Sequence, residues 1–182
     1  MFAQLLPQIL DAVSVAAGQG LSIPLVYNSG GYDSVEILQL LDGVVDIYMP
    51  DAKYASDHIA LTLSAAPHYT SSMKAAFLEM HRQVGDLVIT DGLAVRGMII
   101  RHLVLPGGLA GTEGVMQFIA REISDESYVN VMDQYRPAWH AASPGSIPPG
   151  YEALGRRITR EEYRLAIGFA RKAGLHRGLP TS

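Results

Sequence analysis

Asp51 and Lys53 stand one residue apart at the end of an apolar run, so on a continuing strand their side chains face the same way. Together they present a carboxylate and an ammonium. The pair suits a zwitterion or a polar cofactor carrying both an ammonium or hydroxyl and a carboxylate, and the plainer alternative is a surface ion pair of small energetic value. Three further places carry comparable chemistry. Asn28, Ser29, Gly30 and Gly31 offer small polar groups and bare backbone that let a ligand approach, or else a glycine turn with Asp33 as a helix cap. Arg101 and His102 lie among Ile99, Ile100, Leu103 and Val104, and strand alternation sends them to opposite faces. A buried arginine needs an anion, which Asp51 could supply, and His102 reads as a core histidine with its hydrogen bonds satisfied. Asn130, Gln134, Tyr135 and Arg136, near Trp139, form a polar and aromatic rim that could touch substrate or pack under the loop that follows.

Other chemistries are excluded. The chain has no cysteine, so by itself it holds no cysteine-ligated metal cluster, forms no disulfide and uses no thiol nucleophile. Its six histidines show neither HxH nor HExxH spacing, and no G-x-S-x-G elbow occurs. A net charge of −4 and the lack of a lysine or arginine run favour neither nucleic acid nor an anionic membrane surface. The apolar N-terminus lacks a positive leader and is interrupted by Gln4, Gln8 and Asp11, so an amphipathic helix and a cytoplasmic protein are expected.

The elements that must position these residues alternate in type. A helix is expected over roughly 5–17, and strands over 23–27, 44–49, 98–105 and 128–132. Between them the pattern predicts a helix capped by Asp33 or Ser34 and running through Leu41, one over 71–84, and one capped by Thr112. Thr159 and Glu162 form a capping box opening a last helix over about 159–173. Segments 55–70 and 141–151 read as irregular, the second as a proline- and glycine-rich surface loop. Short strands alternating with helices define an α/β chain with parallel strands and right-handed crossovers, in one domain over residues 1–182. In such folds the active face lies at the carboxyl ends of the strands, where all four polar groups fall. Four strands with a helix ahead of the first fit an incomplete parallel barrel, or a complete small α/β domain. An exposed sheet edge is then available to pair with another chain.

The phrases IPLVYNSGGYDSVEILQLLDGVVDIYMPDAKY, EMHRQVGDLVI, GMIIRHLVLPGGLAGT and VNVMDQYRP resemble the radical S-adenosylmethionine family, in the branch similar to pyruvate formate-lyase activating enzyme. The likeness runs from about residue 5 to about residue 175. It implies the last four strands of a partial (β/α)6 barrel, with the first helix orphaned because two strands would precede it. It also implies S-adenosylmethionine as cofactor, a four-iron four-sulfur cluster, and an activase-type protein or small-molecule substrate. The family ligates that cluster through a CxxxCxxC loop, which this sequence lacks, so the chain alone is expected to be inactive. By the same resemblance Asp51 and Lys53 match an acidic-x-lysine element that contacts the cofactor. Asn28 and Ser29 stand at the exit near its ribose, with Asn28 where the family has an acidic residue, and Arg101 lies on the strand whose arginine faces the pocket. Gln134 or Tyr135 occupies the neighbourhood of a cofactor-contacting histidine. An alternative is a small (β/α) enzyme or non-catalytic partner that binds a phosphorylated ligand at the Gly107 to Gly114 turn.

Overall fold

In the computed structural model, which describes residues 2–143 and 145–180, the backbone forms an α/β arrangement around a parallel sheet. After α1 (Phe2–Gly18), the strands β1 (Val26–Ser29), β2 (Ile47–Pro50), β4 (Leu93–Leu103) and β5 (Tyr128–Met132) lie side by side in that order, all parallel. Among these four parallel strands each new one is added on the same side of the last, so among the described residues their order does not reverse as it does at the switch point of doubly wound folds.

The first two strands begin about three residues later than the hydrophobic runs suggest. Pro24 has no amide to give a ladder, and pairing starts only at Leu25, whose carbonyl accepts from Asp46 and Ile47. Val44 and Val45 turn back onto the Leu41 carbonyl instead of extending β2.

The sheet has a fifth strand that the hydrophobic pattern does not predict, β3 (Val88–Thr90). It runs antiparallel to the start of β4, which consequently begins at Leu93 rather than Met98. The hairpin turns at Asp91 and Gly92, both at positive φ (52° and 80°), the geometry for which Asp-Gly is favoured. At the junction where β4 leaves the hairpin for the parallel sheet, Gly97 sits at φ +115°, and a Cβ there would come 2.4 Å from the Asp86 carbonyl oxygen.

Helices cover one face of the sheet. α2 (Val35–Gln39) packs on α4 (Tyr69–Val84), α4 on the π-helical turn Ile119–Ile123 that continues α5 (Thr112–Phe118), and α5 on α6 (Arg160–Ala173). In α4 the buried residues Tyr69, Met73, Ala76, Phe77, Met80 and Val84 recur at three- and four-residue spacing. They meet Tyr48, Ile100, Val129 and Val131, the alternate strand residues of the covered face, in the main core.

Local departures from the expected helices have specific causes. Segment 55–70 contains α3 (Asp57–Ser64), which ends at Ala65 in the left-handed conformation, and α2 is capped by Ser34, whose hydroxyl accepts from the Ile37 amide. Thr112 does not cap α5. Gly111 holds that position, because the Thr112 hydroxyl is hydrogen-bonded to His102 inside the core. The Thr159/Glu162 capping box forms as expected. Around the proline-rich loop, Trp139–Ala142 and Glu152–Gly155 form short 3-10 turns, and Pro144 lies outside the described residues, as do Met1, Thr181 and Ser182. Among the described residues no helix is long and apolar enough to cross a membrane.

Candidate functional site

The uncovered face of the sheet carries a row of polar residues at the strand ends. Strand register sets Asn28 beside Met49, Asp51 beside Arg101, and Arg101 beside Asn130. Since neighbouring strands lie about 4.8 Å apart, long side chains in such a row reach across two strands. They do so here.

Arg101 donates from Nε to Asp51 Oδ1 at 2.8 Å, and from Nη2 to Asn28 Oδ1 at 2.8 Å. The other Asp51 oxygen, Oδ2, accepts from Lys53 Nζ. One carboxylate thus orients two cations, and the trio keeps a formal charge of +1. Asp51 and Arg101 are mostly enclosed, at 18% and 24% side-chain exposure, while Lys53 at 41% reaches into a cleft of about 220 Å3. Tyr54, Leu103, Leu105, Met132 and Gln134 complete its wall.

The backbone that presents Asp51 and Lys53 is fixed from beneath by residues that the sequence pattern does not point to. The buried Tyr69 hydroxyl accepts from the Lys53 amide at 2.8 Å and lies 3.3 Å from the Asp51 carbonyl oxygen, to which it donates. Burial raises its pKa well above the usual phenol range, so the donor proton is retained. Between these two residues the Ala52 amide donates to the Arg101 carbonyl, and the Ala52 carbonyl accepts from His102 Nδ1 at 2.6 Å. That bond requires the proton on Nδ1 and leaves Nε2 as the acceptor for Thr112. His102 is completely buried, and desolvation pushes its pKa down to about 4. It is therefore a neutral structural histidine, as its apolar flanks imply. Gly31, at φ +74°, lets the first loop pass against this segment, because a Cβ there would stand 2.3 Å from the Asp51 carbonyl oxygen.

Ser29 and Tyr135 lie apart from this network, as do Arg136 and Trp139. Ser29 faces the other way, its hydroxyl donating to Asp33 at 2.7 Å and accepting from the Gly31 amide, which closes the glycine turn. The Tyr135 hydroxyl donates to the Leu154 carbonyl, so this ring anchors the later loop. Asn28, Asp51, Lys53, Arg101 and Gln134 are brought together. The signal for Tyr69 was weak in the sequence, since it depends on a helix start 16 residues away folding back onto the loop.

The Gly107 to Gly114 turn is already closed by protein groups. Glu162 Oε1 accepts from the Gly107 amide at 2.7 Å, and Glu113 lines the same hollow, so carboxylates stand where a phosphate would need donors. Among the described residues no group of three histidine, cysteine or acidic side chains could hold a metal ion.

The fold and site define an α/β chain with a parallel sheet and a cationic cluster at the carboxyl ends of its strands. Over 170 residues the chain is 34% identical to an uncharacterised protein of Methanocaldococcus jannaschii, the match covering 93% of this chain and 44% of that protein. The chain thus spans less than half the length of this curated relative. No protein-family profile matches it, and no solved structure does.

Proposed function

We propose that the chain forms part of the cofactor and substrate wall of a radical S-adenosylmethionine enzyme of the pyruvate formate-lyase activating type, built on the later strands of a partial (β/α) barrel. The observation that carries this reading is the Asn28, Arg101, Asp51 and Lys53 network, drawn from the ends of three adjacent parallel strands onto the face free of helices. The strand order supports it, because a sheet that grows in one direction with helices on one side curls toward a barrel whose inner face is the polar one. Three of the four sequence phrases that resemble the family run through strand exits on this face, and the fourth, EMHRQVGDLVI, lies in α4 and β3.

In this reading Lys53 and Arg101 receive the carboxylate of the methionyl group. Asp51, with both oxygens engaged, holds the two cations in place and limits their net charge. Asn28, whose Oδ1 is bound to Arg101, turns its amide nitrogen outward as a donor to a ribose hydroxyl. Leu103, Leu105 and Met132 supply apolar surface beside them. The iron–sulfur cluster does not fit this chain. It requires thiolate ligands, and the sequence has none, so radical generation is not assigned to these residues.

The test is calorimetric titration of the chain with S-adenosylmethionine, together with anaerobic reconstitution with iron and sulfide. Measurable binding is expected, weakened about tenfold or more by Lys53→Ala or Arg101→Gln through loss of a charge-assisted hydrogen bond. No iron–sulfur absorbance should develop. Tight cluster binding by this chain, or cofactor binding indifferent to both substitutions, would overturn the proposal.

A further inference from the structure

A second and larger cleft, of about 520 Å3, opens between the exit of β5 and the start of α6. Four arginines line it, Arg136 from the strand exit and Arg157, Arg160 and Arg164 from the approach to the helix and its first turns, against the single carboxylate of Asp133. The cleft therefore carries a formal charge of +3 within a chain of net charge −4.

That charge is not neutralised from within. Arg136, Arg157 and Arg160 make no side-chain hydrogen bond or ion pair among the described residues, and Arg164 shares only an exposed contact with Glu161, 3.2 Å long. The nearby carboxylate of Glu162 is occupied by Arg156 and by the Gly107 and Thr159 amides. These contacts hold its pKa well below the usual carboxylate range. Glu161 and Glu162 in the first turn of α6 offset the positive end of that helix, so the field of the cleft comes from the arginines.

Exposed like charges gathered in one concavity raise its positive potential and concentrate anions there. Guanidinium forks match pairs of phosphate or carboxylate oxygens, and the cleft volume falls in the range of small-molecule sites, roughly 300–1,000 Å3. An extended nucleic acid would need a basic track beyond the cleft, which the acidic balance of the chain does not provide. We infer that this cleft binds a small, multiply charged oxyanion, with clustered phosphate or carboxylate oxygens held by Arg136, Arg157 and Arg160. Gln134 lines this cleft and the one containing Lys53, so a ligand anchored on the arginines can extend toward the strand-end cluster.

The inference is independent of the cofactor reading, and its test is separate. Inorganic pyrophosphate and citrate are titrated calorimetrically into the chain at constant ionic strength, with sodium chloride as the control. Saturable binding of either is expected, pyrophosphate identifying a phosphate ligand and citrate a carboxylate one. The double substitution Arg157→Gln/Arg160→Gln, at exposed positions that leave the core intact, should weaken binding about tenfold or more. Arg136→Gln on the opposite wall should weaken it independently. No saturable binding of either probe, binding unchanged in both variants, or arginine-dependent retention of a short RNA without pyrophosphate or citrate binding would overturn it. None of these outcomes touches the response of Lys53 and Arg101 to S-adenosylmethionine.

Discussion

At the scale of single residues, the strand-end cluster depends on groups that never reach its surface. His102 is the clearest case, since its ring carries the Ala52 carbonyl on one side and the Thr112 hydroxyl on the other. Its folded pKa, pushed down to about 4 from a model-peptide value of 6.5, couples stability to pH. Below pH 6.5 the unfolded chain takes up a proton that the folded chain refuses, so stability is full above that value and falls as pH drops toward 4. The whole effect is about 3 kcal/mol. Urea unfolding at a series of pH values should show the midpoint declining through this window. In His102→Gln the decline should be shallower, although the variant is less stable at pH 7 because buried partners are left imperfectly matched. An equally steep decline in the variant would assign the pH dependence to other groups.

Element by element, legibility in the sequence followed the range of the interactions involved. The α4 stripe, the Thr159/Glu162 box and the apolar runs of β4 and β5 are local patterns; α4, α6 and β5 lie close to where their residues indicate, whereas β4 extends five residues earlier than its apolar run and ends two residues sooner. Asn28, Asp51, Lys53, Arg101 and Gln134 could be picked out because strand exits can be located from those runs. Their mutual bonding depends on register across three strands, which no local pattern encodes. The β3 hairpin was legible in principle from Asp91-Gly92 between apolar residues, but three exposed residues make a faint strand. Thr112 looked like a cap because helix-start chemistry suits it, and only the buried His102 beside it redirects the hydroxyl.

Glu162 joins two elements, closing the cap of α6 and accepting from Gly107 at the exit of β4. Glu162→Ala should therefore cost about 1–2 kcal/mol in chemical denaturation, more than an isolated cap, because the strand exit loses its acceptor together with the helix. Hydrogen exchange should speed up at Gly107 as well as at Thr159. Faster exchange at Thr159 alone would confine the role of Glu162 to its own helix.

Across the whole molecule the two borders of the parallel sheet are treated differently. Beyond β5 the C-terminal segment lies along the sheet, with the Val129 amide donating to the Arg177 carbonyl and Arg177 Nη2 donating to the Leu87 carbonyl. Gly178 packs so closely on Tyr128 that a Cβ would fall 2.8 Å from its ring. Beyond β1 no strand pairs among the described residues, and Ile23 and Val26 are 69% and 53% exposed. A strand edge with no strand neighbour, beside exposed apolar side chains, is a template for another strand. The chain is therefore expected to self-associate through β1, with light scattering showing a mass that rises with protein concentration. Val26→Lys should return it to the monomer by placing a charge on that edge, without disturbing the buried residues of the opposite face. A mass that stays monomeric at every concentration in the unmodified chain would mean that this border is protected in solution by the chain itself.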